Sequence, residues 1–168
     1  FRYDIDNYLA GIPDPPVHSL EEIEQSGRVY RTVMPTVRRF LSFEGTPETN
    51  EQCIRGRGNE QRLREAVRSA MAAHDVVALI YPTWNNPPRL VGGLTTPHGN
   101  NSPILSPPTG FPALTVPMGF VWDDRLPAGL QIYGDAWSEP TLIRIAYAYE
   151  QATHRRRPPN TAPALEGN

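Results

Sequence analysis

Ala113-Leu114-Thr115-Val116-Pro117-Met118-Gly119-Phe120 and, shortly after, Gly129-Leu130-Gln131-Ile132-Tyr133-Gly134 decide how this sequence is read. Both pieces are short apolar runs bounded by turn residues, the pattern of strands. The polar Asp123-Asp124-Arg125 between them reads as a turn, and so short a connection favours an antiparallel hairpin. Working back, Asp75 leads into Val76-Val77-Ala78-Leu79-Ile80-Tyr81, a run stopped by Pro82. Continuous rather than alternating hydrophobicity points to a strand covered on both faces. Before it, Leu63, Ala66, Val67, Ala70 and Met71 recur at i, i+3, i+4, i+7 and i+8, which predicts an amphipathic helix over about 59–73 with Asn59 as N-cap. After the third strand, Ser138-Glu139-Pro140 opens a helix over about 139–152, with Leu142, Ile145, Ala146 and Tyr149 as its buried stripe. The fold class is therefore α/β, with three strands at about 76–81, 113–120 and 129–133.

The flanks are shorter and more broken. Ile5, Tyr8 and Leu9 suggest a helix ending at Gly11. Ser19 followed three residues later by Glu22 is a capping box, with Gly27 closing that helix. In 28–58, Val33, Val37, Phe40 and Leu41 are helically spaced, but Pro35 interrupts them, and Gly45, Pro47, Gly56 and Gly58 mark loops. Residues 82–112 read as one long Pro-, Gly- and Asn-rich connection, of a kind that is often functional. No domain boundary stands out over 1–168, and the tail 155–168 is expected to fray.

The 168 residues suffice for one domain, although 39% apolar content is low and 19 prolines imply many turns and extended connections. A formal charge of −2 gives no reason to expect nucleic acid or an anionic membrane surface. Without a bilayer-length apolar run or a signal peptide, and with Cys53 as the one cysteine, a cytoplasmic protein is expected. Without an initiating Met, a piece of something longer is expected. All 16 cationic residues are arginine, so no lysine within this sequence can serve as a base or Schiff-base former.

Three stretches taken together resemble the amidase-signature family, in particular its peptide-amidase-like members. They are Asp75 to Thr83, then Ser106-Pro107-Pro108-Thr109-Gly110-Phe111-Pro112 running on to Phe120, and Leu126-Pro127-Ala128-Gly129-Leu130-Gln131-Ile132-Tyr133-Gly134 with the helix from Ser138 to Gln151. The opening Asp4 to Ala10 and Ser19 to Ile23 fit the same resemblance. It implies part of an α/β/α sandwich around a mixed sheet and hydrolysis of carboxamide C–N bonds with no metal or organic cofactor. In the family, one serine attacks the carbonyl, a second relays the proton to a buried lysine, and backbone N–H groups of a Gly/Ser-rich loop hold the oxyanion. Those parts lie in the family's N-terminal half. Here the serines stand singly at 19, 26, 42, 69, 102, 106 and 138, and no lysine exists, so no catalytic residue carries over.

Substrate contact does carry over, to Thr83, Trp84, Asn101, Ile104 and Phe111, on segments that wall the family's pocket. Many members have an asparagine three residues before the glycine of the Gly-Phe-Pro turn, where this chain has Pro107. Each residue also has a plainer reading. Gly110-Phe111-Pro112 serves a turn and a strand start, Trp84 covers a core, and loop asparagines satisfy their own backbone. None of the four histidines has metal-ligand spacing, and a Ser102, His98, Asp75 triad has nothing in the sequence to assemble it. Arg155-Arg156-Arg157 suits a helix C-terminus. The leading expectation is the C-terminal part of an amide hydrolase, acting on a small-molecule or peptide amide. It would be inactive alone and would partner either the missing N-terminal portion or a second copy. The alternative is a non-catalytic, amidase-derived binding or assembly module, possible as a homodimer.

Overall fold

The first helix, α1 (Arg2–Ala10), stops at Gly11, whose N–H donates to Tyr8 O at 3.2 Å, while Ile12 N–H donates to Leu9 O at 3.1 Å. The structure is a computed structural model and describes residues 1–93 and 99–159. It divides into two compact units, Phe1–Asn59 and Glu60–Asn168. In the first, Ser19 Oγ caps α2 (Leu20–Gln25) by accepting from Glu22 N–H at 3.1 Å. The Glu22 carboxylate accepts from His18 N–H at 2.8 Å, one residue earlier than a capping box requires. Pro35 does not interrupt α3 (Met34–Leu41). It sits in the first turn, where a helical N–H has no partner to lose. Leu9, Leu20 and Val37 form the buried centre of this unit, and Phe1 stacks on Phe40 at 4.5 Å.

Helix α4 (Glu51–Ala73) corrects the reading of Gly56 and Gly58 as loop markers and of Asn59 as a cap. Its start is set by Asn50, whose Oδ1 accepts from Gln52 N–H at 3.0 Å and Cys53 N–H at 3.2 Å. Gly56 and Gly58 are absorbed inside the helix, at about 1 kcal/mol each relative to alanine. The helix ends with Asp75 in a left-handed conformation and Val76 N–H bonded to Met71 O at 3.0 Å. That closing turn uses Val76 and Val77, so strand β1 (Leu79–Pro82) begins later than the apolar run does.

The long connection 82–112 is not structureless. It contains helix α5 (Ser102–Thr109), despite Pro107 and Pro108. Two hydroxyls fasten its last turn: Thr109 Oγ1 donates to Leu105 O at 2.6 Å, and Ser106 Oγ donates to Phe111 O at 2.7 Å. Gly110, at φ 69°, then turns the chain into β2 (Ala113–Val121). The hairpin partner β3 (Leu126–Tyr133) lies in the middle of the order β1-β3-β2, and α6 (Glu139–Thr153) follows. Pro127 is tolerated in this central strand because β1 stops opposite Leu130, leaving β3 with one neighbour there. Every pairing among the described strands is antiparallel, so the mixed sheet expected from the resemblance is not formed by these three.

The layers are those of an α/β/α sandwich. Leu79, Tyr81, Ala113 and Tyr133 face Val67 and Met71 of α4, Leu105 of α5 and Phe111. Leu114, Val116, Leu130 and Ile132 on the opposite face pack on Leu142, Ile145, Ala146 and Tyr149 of α6. Ser138 caps α6 through its carbonyl, which accepts from Thr141 and Leu142, while its buried hydroxyl makes no side-chain cap. Covering both faces of the first strand, as the continuous apolar run led one to expect, is incomplete: Ile80 is 64% exposed.

Candidate functional site

The four residues Thr83, Trp84, Asn101 and Ile104 come together where β1 ends and α5 begins. Asn101 N–H donates to Thr83 O at 2.9 Å, Ile104 N–H donates to Asn101 O at 3.1 Å, and Trp84 forms an isolated bridge with Asn100. Asn101 is buried, and both its amide hydrogens are used, on Pro82 O and Asn85 Oδ1, each at 2.8 Å. Asn85 returns a bond to Asn101 Oδ1 at 3.1 Å. This reciprocal amide pair clasps the start of the connection to its end. Trp84 and Ile104 remain exposed, at 47% and 55%.

Phe111 lies apart from this cluster, at the far end of α5. It is buried against Tyr133, with ring centroids 6.2 Å apart, and the Arg68 guanidinium lies 4.8 Å from its ring. Arg68 is itself held by Asp135 at 2.9 Å. Next to it, Thr109 Oγ1 and Tyr133 Oη are 2.8 Å apart. Either hydroxyl can donate across this pair, and Thr109 Oγ1 also bonds to Leu105 O. Burial pushes the Tyr133 phenol above its ordinary range, against the opposing effect of the Thr109 bond. Burial also raises Tyr81, with Tyr133 adding to the effect.

Sequence reasoning missed three residues of the site: Gln131, Thr115 and Trp122. Tyr81, Gln131 and Thr115 are in register across the sheet, and Thr115 Oγ1 lies 3.2 Å from Thr83 Oγ1. Gln131 is 3% exposed; its Nε2 donates to Ser102 O at 3.4 Å, and its Oε1 has no partner among the described residues. The signal was present: two polar side chains in otherwise apolar strands. Gly129 makes the threonine pair possible, because a Cβ there would sit 2.7 Å from Thr115 Cγ2 and 2.9 Å from Thr83 Oγ1. The third is Trp122, at the hairpin tip. With Pro82, Trp84, Met118, Pro127 and Gly129 it lines a groove of about 640 Å³. These polar groups are hydroxyls and carboxamides, each able both to donate and to accept hydrogen bonds. Ser102 Oγ donates to Asn100 Oδ1, and no imidazole among the described residues engages it; His98 of the imagined triad lies outside the described residues. Among the described residues, no group of three or more His, Cys, Asp or Glu side chains is placed to hold a metal ion, and no helix is long and apolar enough to cross a membrane.

No family model matches the chain. A glutamyl-tRNA(Gln) amidotransferase subunit from Synechococcus sp. (strain JA-2-3B'a(2-13)) is 51% identical over 59 residues, 34% of this chain and 11% of that protein. The subunit of the same name from Geobacillus stearothermophilus is 43% identical over 111 residues, 58% of this chain and 22% of the relative. Among solved structures, the native peptide amidase of Stenotrophomonas maltophilia superposes with a TM-score of 0.75 at 32% identity, over 95% of this chain and 33% of that one. This chain resembles amidase-signature proteins. It corresponds to a C-terminal portion of such proteins and spans at most about a third of the length of these amidase relatives. The amidase likeness runs through both units, including the Phe1–Asn59 segment where sequence patterns are weakest.

Proposed function

We propose that this chain is the sheet-forming, pocket-walling portion of an amide hydrolase and is not catalytic by itself. One observation carries the reading. The chain superposes on a peptide amidase over 95% of its length, yet it contains no lysine. The Ser–Ser–Lys chemistry implied by the resemblance must then be supplied by groups outside this sequence. The chain's part is to present Thr83, Trp84 and Ile104, with Asn101 bracing the loop and Phe111 anchoring α5 beneath it. Its substrate is a small-molecule or peptide carboxamide, its partner the N-terminal portion of an amidase, and its compartment the cytoplasm.

Complementation tests this. The chain is co-expressed with the N-terminal portion of the Stenotrophomonas peptide amidase, and ammonia release from peptide amides is measured. Co-purification of the two pieces with release above that of either alone is expected. Two pieces that co-purify and fold but release nothing would count against a role in amide hydrolysis.

The open sheet favours a second reading. Among the described strands β1 is an edge, and Ile80 on it is exposed, so a second copy can cover this region in place of an amidase partner.

A further inference from the structure

The sheet forks at Thr83. Its N–H donates to Gly129 O at 2.8 Å, which continues the β1–β3 ladder, but its carbonyl accepts from Asn101 N–H at 2.9 Å instead of returning to Gly129. Beyond it the chain pairs away from β3: Trp84 bridges Asn100, and Asn85 N–H donates to Gly99 O at 2.8 Å. Strand β3 runs back to Leu126 with β2 on one side and, among the described residues, no strand on the other. In an antiparallel ladder the main-chain groups of successive residues point to opposite edges. Gly129 accepts on the β1 edge, so its N–H and the Pro127 carbonyl share that edge. Pro127 has no N–H, which leaves one donor and one acceptor two residues apart.

The opening between the two arms of the fork is the groove of about 640 Å³, walled by Pro82, Trp84 and Pro88 on one arm and by Trp122, Pro127 and Gly129 on the other. An unpaired strand edge is a template for another chain. The tryptophans beside this one, 47% and 61% exposed, offer contact area to that chain's side chains. Trp122 is held at φ 55°, a left-handed conformation that glycine adopts with less strain, so the turn alone does not call for an indole there.

We infer that this groove takes an extended peptide, added antiparallel to β3 between the two arms. One peptide N–H donates to Pro127 O, one peptide carbonyl accepts from Gly129 N–H, and side chains rest on Trp84 and Trp122. This deepens the hydrolase reading by naming how a peptide substrate is held, and as a statement about substrate it rests on that reading. Main-chain pairing gives affinity for any sequence that extends, and the tryptophans favour apolar side chains. A lone amide without a flanking peptide bond cannot make both main-chain bonds.

The test titrates the full 168-residue chain with acetyl-Thr-Val-Tyr-Val-Thr-amide, a strand-forming peptide, and with the same peptide methylated at its peptide nitrogens. Binding is read by calorimetry and by hydrogen exchange of Gly129 N–H. Saturable binding of the unmethylated peptide is expected, with Gly129 exchange slowed about tenfold or more at saturation. The methylated peptide should bind about tenfold or more weaker, having lost the donor to Pro127 O. Trp122→Ala and Trp84→Ala should each weaken binding by about tenfold while Trp122→Phe retains most of it. The two tryptophans lie on separate segments, so loss of fold in one variant leaves the other to decide. Absence of saturable binding, equal affinity for the two peptides, unchanged Gly129 exchange, or unchanged binding in a folded alanine variant overturns the proposal. Ammonia release on complementation without peptide binding here would sink the groove alone. Peptide binding without release would leave the groove standing and remove the hydrolase.

Discussion

Phe111 shows how one residue type serves two readings. In the sequence it stands in a turn next to a candidate pocket. In the fold its ring is 4% exposed, lies under Arg68 and against Tyr133, and fills the space between α5 and the sheet. Phe111→Ala should therefore lower stability by about 3–5 kcal/mol in urea unfolding, the range for a buried aromatic. The neighbouring phenols give a pH signature. Burial raises the folded-state pKa of Tyr133 and Tyr81, so the folded chain holds these protons more tightly than the unfolded one. Their contribution is complete below about pH 10, the unfolded phenol value, and is lost as pH rises through the higher folded values. Denaturant midpoints should be flat in this respect from pH 7 to pH 9 and fall in stronger alkali, and Tyr133→Phe should blunt the fall.

At the scale of elements, what could be read from the sequence followed from periodicity, and what could not followed from caps. The stripes Leu63, Val67, Met71 and Leu142, Ala146 were legible because they face a core, and they do. The start of α4 was not. Two glycines suggested loop, while a single asparagine well before the expected cap fixed the helix end. Asn50→Ala should cost about 1 kcal/mol, visible as a lower unfolding midpoint and loss of helical signal from the first turns. Helix α5 escaped for a related reason. Its prolines read as breakers, and the hydroxyls of Ser106 and Thr109 that fasten its last turn carry no periodic pattern. Around the site, the sequence pointed to the loop residues but not to the strand residues beneath them, since a register such as Tyr81–Gln131–Thr115 exists only once strands pair. The Asn85–Asn101 clasp is the element-scale prediction. Asn101→Ala removes two partly buried hydrogen bonds, to Pro82 O and Asn85 Oδ1, and should destabilise by about 1–3 kcal/mol. Hydrogen exchange should localise the effect to the N–H groups of Asn85 and residue 101, not to β2–β3.

On the scale of the whole molecule, a three-stranded sheet with two open edges is a small part of a sandwich. The residue Ile80 and the α6 residues Ile143 and Tyr147 face solvent, and among the described strands β1 and β2 each have an unpaired side. Sedimentation of the isolated chain should show concentration-dependent association, suppressed by Ile80→Lys, whereas a monomer at every concentration would argue that these surfaces need no cover. The central claim is that amide hydrolysis requires groups this sequence does not contain. Ammonia release from a panel of primary carboxamides by the purified chain alone tests it most directly. No release above the rate without protein is expected. Release that persists through further purification and disappears in Ser102→Ala would contradict it.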